Sequence, residues 1–261
     1  MAAPKERLDN LLVKRGLVES RSLAQRFIMA GQVRLAGQLV LKPSAQVPAD
    51  AAIEIEAAPR FVSRGGEKLE AALREFKLDP TGWVCADVGA STGGFTDCLL
   101  QKGAERVYAI DVGYGQLHWR LRNDPRVVLM ERTNARTLKE LAEPVSLVVV
   151  DVSFISLRLI LPSAARWLEP HGNLLALVKP QFEAGRNKVG KGGVVRDPAV
   201  HRQVVEAALQ AAMEAGLSPQ RAMRSPLLGP KGNVEFLIWL QKGGAPRSVM
   251  ELVEGLFAPP A

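Results

Sequence analysis

Short apolar runs alternate with helical stretches from about residue 64 onward, and this alternation leaves few folds open to the chain. The runs at 146–151 and 173–178 are apolar at most positions, as expected of strands buried on both faces. Strands of this kind, when helices separate them, form a parallel sheet that helices cover on both sides. We therefore predict an α/β domain with strands at 83–87, 106–111, 126–130, 146–151, 173–178 and 234–240, and helices at 67–76, 95–101, 116–122, 157–167 and 198–215.

The first 57 residues follow a different pattern, which predicts a small separate module. Leu8, Leu11 and Leu12 recur at helical spacing and predict a helix at 5–15, and a second helix is expected at 21–29. Short strands are expected at 32–35, 38–41 and 53–56. The predicted organisation is an α+β module at 1–57, a linker at 58–64, the α/β domain at 65–243 and a tail at 244–261.

The chain has a formal net charge of +7, which suits a polyanionic partner. Its apolar content of 47% is enough for a hydrophobic core and disfavours global disorder. Cys85 and Cys98 lie in apolar stretches without CxxC spacing, which predicts buried thiols in a reducing compartment, and no metal site is predicted. Because the N-terminus lacks the apolar segment of a secretion signal and no apolar run could span a bilayer, we expect a cytoplasmic protein with no membrane partner.

A glycine-rich segment, Asp87-Val88-Gly89-Ala90-Ser91-Thr92-Gly93-Gly94-Phe95, lies between the first expected strand of the α/β domain and the next helix. Glycines at such a turn let a ligand approach main-chain N–H groups. Asp111 ends the next strand, 22 residues after Gly89, where an acid can accept hydrogen bonds from both hydroxyls of a ribose. The segment predicts a nucleoside cofactor at the carboxyl ends of the strands, and a glycine-rich turn without a ligand is the alternative.

The glycine-rich segment departs from the dinucleotide pattern GxGxxG because Ser91 stands at the second glycine. Its leading Asp87 can lie near the sulfonium and amino group of S-adenosylmethionine, whereas it would repel a pyrophosphate, so S-adenosylmethionine is favoured over NAD. A GxxxxGK segment at 185–191 lacks a following Ser or Thr and lies too far after Val178 for a tight strand-to-loop turn. We interpret it as a basic loop near the substrate, and a phosphate-binding loop is the alternative.

Four charged residues stand at strand ends or inside apolar segments. Asp151 ends the fourth expected strand, Lys179 follows the fifth, Glu235 lies in the last strand, and Lys68 is in the helix before the first strand. Two lysines and two carboxylates would balance to neutral, and a nearby like charge would favour a deprotonated lysine. Such an amine can take a proton from a sugar hydroxyl. An ion-pair network without a catalytic role is the alternative that these positions leave open.

Together these segments resemble the TlyA family, whose members join an S4-type RNA-binding domain to an FtsJ-like ribose methyltransferase. The resemblance covers residues from about 7 to 240 and is carried by Arg7-Leu8-Asp9, Ser20-Arg21-Ser22, Gly31-Gln32-Val33 and Gly37, and by the segments 62–69, 87–95, 151–157, 178–183 and 232–235. It implies a Rossmann-like, S-adenosylmethionine-dependent methyltransferase domain with a mostly parallel seven-stranded sheet, behind a small α+β S4 domain.

The resemblance also implies roles for individual residues. It implies that Lys68, Asp151, Lys179 and Glu235 form the Lys-Asp-Lys-Glu tetrad of FtsJ-like enzymes, with Lys179 as the base. The implied donor pocket, with the leading acid included, is Asp87, Gly89, Ser91, Gly93, Gly94, Phe95, Asp111, Asn134 and Asp151. Asn134 stands where relatives often carry an acid, and Phe61 stands where the family's linker motif, Arg-x-Trp-Val, has tryptophan.

Basic side chains are the expected contacts to RNA phosphates. In this chain they are Arg7, Lys14, Arg15, Arg21, Arg26 and Arg34 in the first module, and Arg64, Lys188 and Lys191 beyond it. A solvated basic surface is the alternative for several of them. The resemblance implies methylation of cytidine 2′-hydroxyls in 16S and/or 23S ribosomal RNA, with ribosomal RNA or ribosomal subunits as partners and no DNA. A non-catalytic RNA-binding or ribosome-assembly factor, a membrane-active haemolysin and a small-molecule or protein methyltransferase stay open as alternatives.

Overall fold

The computed structural model describes residues 4–29, 31–55 and 59–258. The chain divides into two compact units, Met1–Arg60 and Phe61–Ala261. In the part of the chain that is described, no helix is both long enough and apolar enough to cross a lipid bilayer.

The first unit packs two helices, α1 (Leu8–Lys14) and α2 (Arg21–Met29), against short antiparallel strands. Strand β1 (Lys5–Arg7) pairs with β4 (Gln46–Pro48). Strand β2 (Val33–Leu35) pairs with both β3 (Gln38–Leu39) and β5 (Ile53–Ile55). The buried core consists of Leu8, Leu11, Leu12, Val18, Ala24, Ile28, Val33 and Val47. This arrangement confirms the predicted small α+β module.

Some details of the first unit differ from the sequence prediction. The helix expected at 5–15 begins only at Leu8, because the three residues before it pair with β4. Strand β4 itself is not predicted by the sequence pattern, since Val47 is its only buried residue and no apolar run marks it. The strand expected at 53–56 is observed over Ile53–Ile55, and Glu56 lies outside the described residues.

Seven strands of the second unit form one sheet. They are β6 (Val84–Val88), β7 (Arg106–Ile110), β8 (Val127–Met130), β9 (Val145–Val150), β10 (Leu168–Val178), β11 (Leu217–Arg224) and β12 (Phe236–Lys242). Their order in the sheet is β11-β12-β10-β9-β6-β7-β8. The strands β6 to β10 pair in parallel, whereas β12 is antiparallel to both of its neighbours. The expected mostly parallel seven-stranded sheet is confirmed.

Helices cover both faces of this sheet. They are α3 (Gly65–Phe76), α4 (Gly94–Gln101), α5 (Trp119–Arg122), α6 (Leu161–Trp167), α7 (Pro180–Glu183), α8 (Pro198–Glu214) and α9 (Val249–Phe257). Side chains of α3 and α4 belong to one buried cluster, and those of α6 and α8 belong to another. In β9, Leu147 and Val149 join the first cluster, and Val148 and Val150 join the second. The strand is therefore buried on both faces, as its continuous apolar sequence predicts.

Parts of the second unit also differ from the prediction. The edge strand β11 is not predicted, because its sequence is largely polar and contains Pro219, which sheets accept mainly at their edges. Strand β12 begins at Phe236, so Glu235 precedes the strand and does not lie inside it. The helix expected at 116–122 is confined to Trp119–Arg122.

Candidate active site

The turn after β6 lies against the end of β9. Gly89 has a φ of +85°, and a Cβ at this position would be 2.5 Å from the carbonyl oxygen of Asp151. Glycine is required here because a side chain would need both a strained backbone and space that the main chain already occupies. The amides of Gly89 and Ala90 donate to the carbonyl oxygen of Ile110 at 2.9 and 3.2 Å. The turn thus brings the carboxyl ends of β6, β7 and β9 together.

Asp111 follows β7 at the same edge of the sheet. Its Oδ2 accepts a hydrogen bond from the amide of Ser91 at 2.8 Å, and its Oδ1 accepts one from the amide of Gly113 at 2.7 Å. These two bonds fix the orientation of the carboxylate. Each oxygen can still accept a second bond, so the group remains able to accept hydroxyl donors from a ligand.

A cavity of about 500 Å³, hereafter the larger cavity, opens at this edge of the sheet. Five of the predicted cofactor residues line it: Gly89, Ser91, Asp111, Asn134 and Asp151. Apolar side chains complete the wall, among them Val88, Ile110, Ile155 and Ile160. The Oδ1 atom of Asn134 accepts a bond from the amide of Arg136 at 3.1 Å, and its amide nitrogen is a donor. An apolar wall with a few fixed polar groups is typical of a small-molecule site.

The structure places the remaining predicted cofactor residues elsewhere. Gly93 lines neither this cavity nor the smaller one described below, and a Cβ there would be 2.2 Å from the side chain of Leu121. Its φ of +96° and this close packing explain the glycine without a ligand. Gly94 and Phe95 border the smaller cavity. A Cβ on Gly94 would be 2.2 Å from the hydroxyl of Ser63, so this glycine is also required by packing.

Asp87 is completely buried at the end of β6. Its Oδ2 accepts bonds from the amide and the hydroxyl of Thr96 at 2.8 and 2.6 Å, whereas its Oδ1 has no hydrogen-bond partner among the described residues. Burial raises the pKa of Asp87 to about 7; Thr96 opposes this shift, and the charges of Asp151 and Asp111 add to it. Asp87 also lines the smaller cavity, and its bonds to Thr96 anchor the first turn of α4.

The smaller cavity, of about 300 Å³, is lined by all four residues of the predicted tetrad, Lys68, Asp151, Lys179 and Glu235. Lys68 Nζ lies 2.5 Å from Glu235 Oε2, and Lys179 Nζ lies 2.5 Å from Asp151 Oδ1. Lys179 Nζ also donates to the hydroxyl of Ser153 at 3.0 Å. The four side chains thus form two separate lysine–carboxylate pairs around one cavity.

Glycines make room for these pairs. A Cβ on Gly229 would be 2.0 Å from Oε1 of Glu235, so only glycine leaves space for this completely buried carboxylate. A Cβ on Gly66 would be 2.3 Å from the ring of Phe61, which is buried against the start of α3, the helix that carries Lys68. The phenylalanine in the linker motif therefore packs under the helix that positions Lys68.

The two cavities adjoin each other. Gly89, Ser91, Asp151 and Ser153 line both of them. The carboxylate of Asp151 therefore borders the larger cavity and also contacts the amine of Lys179. Ser153, which bonds that amine, is a site residue that the sequence interpretation did not single out.

Phe154 is a second residue without a predicted role. Its side chain is 91% exposed, it borders the larger cavity, and its φ of +64° is unusual for a bulky residue. Its ring contacts that of Phe182 with the centroids 4.9 Å apart. The motif Asp151-Val152-Ser153-Phe154 is visible in the sequence, but exposure and a left-handed backbone are not.

Asn233 is a third such residue, and it is only 2% exposed. Its Nδ2 donates to the carbonyl oxygens of Gly193 and Pro230 at 3.0 and 3.2 Å, and its Oδ1 accepts from the amide of Val195 at 3.1 Å. These bonds join the loop before α8 to the segment that carries Glu235. The motif at 232–235 marks the position, but two of its partners, Gly193 and Val195, lie about 40 residues away in the chain.

Most predicted RNA-contacting residues of the first unit are also bonded within that unit. Their contacts are Arg7 and Arg21 to Asp9, Lys14 to Glu6, Arg15 to the carbonyl oxygen of Ala51, and Arg34 to that of Gly37. Arg26 is exposed on α2. These side chains are partly or largely exposed, and both an RNA contact and a solvated basic surface stay open for them.

The basic residues of the second unit lie at its surface. Arg64 is exposed and borders the smaller cavity, Lys191 is exposed, and Lys188 donates to Oε1 of Gln203 at 2.6 Å. Strand β10 is followed by α7, so the GxxxxGK segment does not directly follow a strand. This agrees with a basic loop rather than a phosphate-binding loop.

Both units match known protein families. The model of the FtsJ-like methyltransferase family matches residues 61–242, and that of the S4 domain matches residues 6–53. The chain is 48% identical to YqxC of Bacillus subtilis, described as a candidate rRNA methyltransferase, over 97% of this chain and 92% of the relative. It is 47% identical to the 16S/23S rRNA (cytidine-2′-O)-methyltransferase TlyA of Mycobacterium tuberculosis, over 92% and 91% of the two chains.

A solved structure gives the same result for the fold. A candidate hemolysin from Streptococcus thermophilus superposes with a TM-score of 0.73 at 44% identity, covering 97% of this chain and 96% of that one. The match spans both units, and the two family models confirm the predicted methyltransferase class, whose methyl donor is S-adenosylmethionine. The chain belongs to the TlyA family, in which an S4 domain precedes an FtsJ-like methyltransferase domain.

Proposed function

We propose that this chain transfers a methyl group from S-adenosylmethionine to the 2′-hydroxyl of cytidine in 16S and/or 23S ribosomal RNA. The observation that carries the proposal is the position of Lys179. Its amine borders the smaller cavity and contacts Asp151, a residue that also lines the larger cavity. The proposal is supported by the relative from Mycobacterium tuberculosis, whose name specifies this reaction.

The residues of the larger cavity fit the proposed donor. Gly89 keeps the backbone close to the ligand space, and the fixed carboxylate of Asp111 can accept the hydroxyls of a ribose. The amide of Asn134 can bond the edge of an adenine, and the apolar wall suits its faces. When bound, S-adenosylmethionine supplies a methyl group that its sulfonium makes electrophilic.

We assign the smaller cavity to the ribose that accepts the methyl group. Lys179 Nζ is restrained by Asp151 and Ser153, so the amine is held in place to take the proton of the 2′-hydroxyl when it is uncharged. Lys68 lies in the same wall, where Glu235 holds its amine in place, and it can donate to a ribose oxygen. Holding these groups in one geometry provides much of the catalytic effect.

The S4 domain and the basic residues described above would hold the RNA, and Arg64 at the edge of the smaller cavity is placed to meet a phosphate near the target. Because ribosomal RNA is the proposed substrate, we also propose that the protein acts in the cytoplasm on ribosomal RNA or ribosomal subunits.

The decisive experiment compares Lys179→Met with the wild type on ribosomal RNA and on isolated subunits. Removing a general base typically costs about 10²–10⁴-fold in rate, so we expect methyl transfer to fall by this factor. Lys139→Met is the matched control, since Lys139 is exposed and lines neither cavity, and it should retain the wild-type rate. Transfer is measured with a labelled methyl donor, and the product is located as a nuclease-resistant 2′-O-methylated dinucleotide.

Binding of the donor is measured in parallel by calorimetry, and Lys179→Met should retain it within about threefold. A Lys179→Met protein that methylates at more than a tenth of the wild-type rate would refute the assignment of the base. A wild type that binds the donor but methylates neither RNA nor subunits would support a non-catalytic RNA-binding role instead.

A further inference from the structure

Asp9 is a completely buried carboxylate in the first unit, at the start of α1. Its Oδ1 accepts bonds from Arg7 Nε and from the amide of Asn10, both at 3.0 Å. Its Oδ2 accepts bonds from Arg7 Nη2, Arg21 Nε and Gln25 Nε2 at 2.8, 3.0 and 2.9 Å. Five donors therefore converge on one carboxylate, and three of them belong to two arginines from different segments of the unit.

The two arginines are held from one side only. The side chain of Arg7 is 36% exposed and that of Arg21 is 55% exposed, although the acid between them is buried. Within the described residues, Nη1 of Arg7 and both terminal nitrogens of Arg21 have no recorded hydrogen-bond partner. Asp9 thus restrains the inner edges of the two guanidinium groups and leaves their outer N–H groups available.

We propose that Asp9 is a positioning residue that presents Arg7 and Arg21 as a rigid fork for one phosphate of the RNA backbone. The cluster of one carboxylate and two guanidinium groups has a net charge of +1, which matches one phosphodiester. Guanidinium groups bind phosphate oxygens through paired N–H donors, and their prior immobilisation lowers the entropy lost on binding. The proposal rests on the function proposed above, because it takes RNA as the ligand.

The geometry favours a binding role over a purely stabilising one. One arginine is enough to neutralise the charge of Asp9. A buried cluster of ion pairs often stabilises a fold no more than apolar residues of similar size would. The second arginine adds a charge that Asp9 cannot neutralise, and that charge lies at the surface. This exposed positive charge is needed to bind a phosphate, whereas stabilising the fold does not require it.

The test measures binding of a ribosomal RNA fragment to the full-length chain over a range of salt concentrations. Arg21→Gln should weaken binding about tenfold and lower the log–log salt slope by about 1, because one phosphate contact is lost. Lys139→Gln is the matched charge control, since Lys139 is exposed, lies outside the Asp9 cluster and is not among the expected RNA contacts. It should change the affinity less than threefold.

The variant Asp9→Asn tests whether RNA binding depends on how Asp9 positions the two arginines or only on the net charge of the unit. The substitution raises the net charge by one, so electrostatics alone predicts tighter RNA binding, whereas a lost fork predicts binding weakened by about fivefold or more. A folded Asp9→Asn protein that binds RNA as tightly as the wild type, or more tightly, would overturn the proposal. Circular dichroism verifies that the variant is folded at the temperature of the assay.

Arg21→Lys serves if Asp9→Asn does not fold. It keeps the charge and removes the paired donors, so weaker binding supports the fork and unchanged binding refutes it. If these variants bind RNA normally while the wild type still methylates it, the fork alone is wrong. A wild type that binds no ribosomal RNA would overturn both the fork and the proposed function.

Discussion

Two aspartates, one in each unit, are equally buried and yet differ in the direction of their pKa shifts. Asp9 and Asp87 are both 0% exposed. The Arg7 guanidinium holds the pKa of Asp9 far below its usual range in spite of burial, and Gln25 and Arg21 lower it further. Burial raises the pKa of Asp87 to about 7; the bonds from Thr96 oppose this shift, and the charges of Asp151 and Asp111 add to it. Burial alone therefore does not decide the charge of a carboxylate; its donors and neighbours do.

The opposite pKa shifts of Asp9 and Asp87 correspond to their positions in the fold. Asp9 lies where two flanking segments can supply arginines, so its charge is stabilised locally. Asp87 lies at the smaller cavity, where Asp111 and Asp151 make other contacts and where no cation of the described residues is its hydrogen-bond partner. Glu235 is a third case, since it is completely buried and has a single lysine partner. Three predictions test this comparison.

The largest effect is expected at the pair of Lys68 and Glu235, because the buried carboxylate of Glu235 depends on this lysine. Lys68→Met leaves the carboxylate of Glu235 buried and unpaired, so it should lower the free energy of unfolding of the second unit by about 3–5 kcal/mol. The double variant Lys68→Met/Glu235→Leu should recover most of this loss and none of the activity. The control is Lys102→Met, which removes a more exposed partner of Glu70 and should cost less than about 1 kcal/mol. Denaturant titration measures all three, and a double variant no more stable than the single one would contradict the comparison.

A smaller effect is expected at Asp9, because its arginines are partly exposed and can be solvated. Asp9→Asn should destabilise the first unit by about 1–3 kcal/mol at pH 7. The lowered folded-state pKa makes the stabilisation by Asp9 complete above the ordinary value of 3.8 and progressively lost as the pH falls below it. Wild type and variant should therefore converge in stability on acidification, as thermal melts can show. Glu6→Gln, at an exposed pair with Lys14, is the control and should show little of this convergence.

The smallest effect, of opposite sign, is expected at Asp87. Because the folded-state pKa exceeds the ordinary value of 3.8, the contribution of Asp87 to stability is complete below about pH 4 and is lost as the pH rises towards 7. Asp87→Asn lacks this titration and keeps an oxygen to accept the Thr96 donors. Its stability relative to the wild type should rise by about 1 kcal/mol between pH 6 and pH 7. Parallel stability curves over this interval would show that the acid is ionised throughout.

The strands that position the site were predictable because their sequences carry a local signal. The apolar runs that end at Val150 and Val178 place Asp151 and Lys179 at the carboxyl edge of the sheet, where the structure has them. Strands β4 and β11 have no such signal, since they lie at sheet edges and need few buried residues. Glu235 was predicted inside the last strand because its neighbours are apolar, but its burial depends on Gly229 and on the partner lysine.

The electrostatic character of the site was less predictable. The sequence indicates Asp87 as an acid for the donor, but its pKa depends first on burial and then on Thr96, Asp151 and Asp111, which come from other segments. In the same way, the segment at 7–9 was part of the family resemblance, yet the role of Asp9 depends on donors 12 and 16 residues further along. Such effects arise from contacts between segments, to which hydrophobic periodicity and motif spacing are insensitive.

The wall common to the two cavities has a consequence for inhibitor design. Since Gly89, Ser91, Asp151 and Ser153 border both spaces, one linked molecule that occupied both cavities would contact these four residues from each side. Under the proposed function, an adenosine analogue tethered to a cytidine would combine both halves of the reaction in a single compound. A larger residue at position 89 would exclude such a molecule, but it would also disrupt the turn, because the main chain of Asp151 already occupies that space.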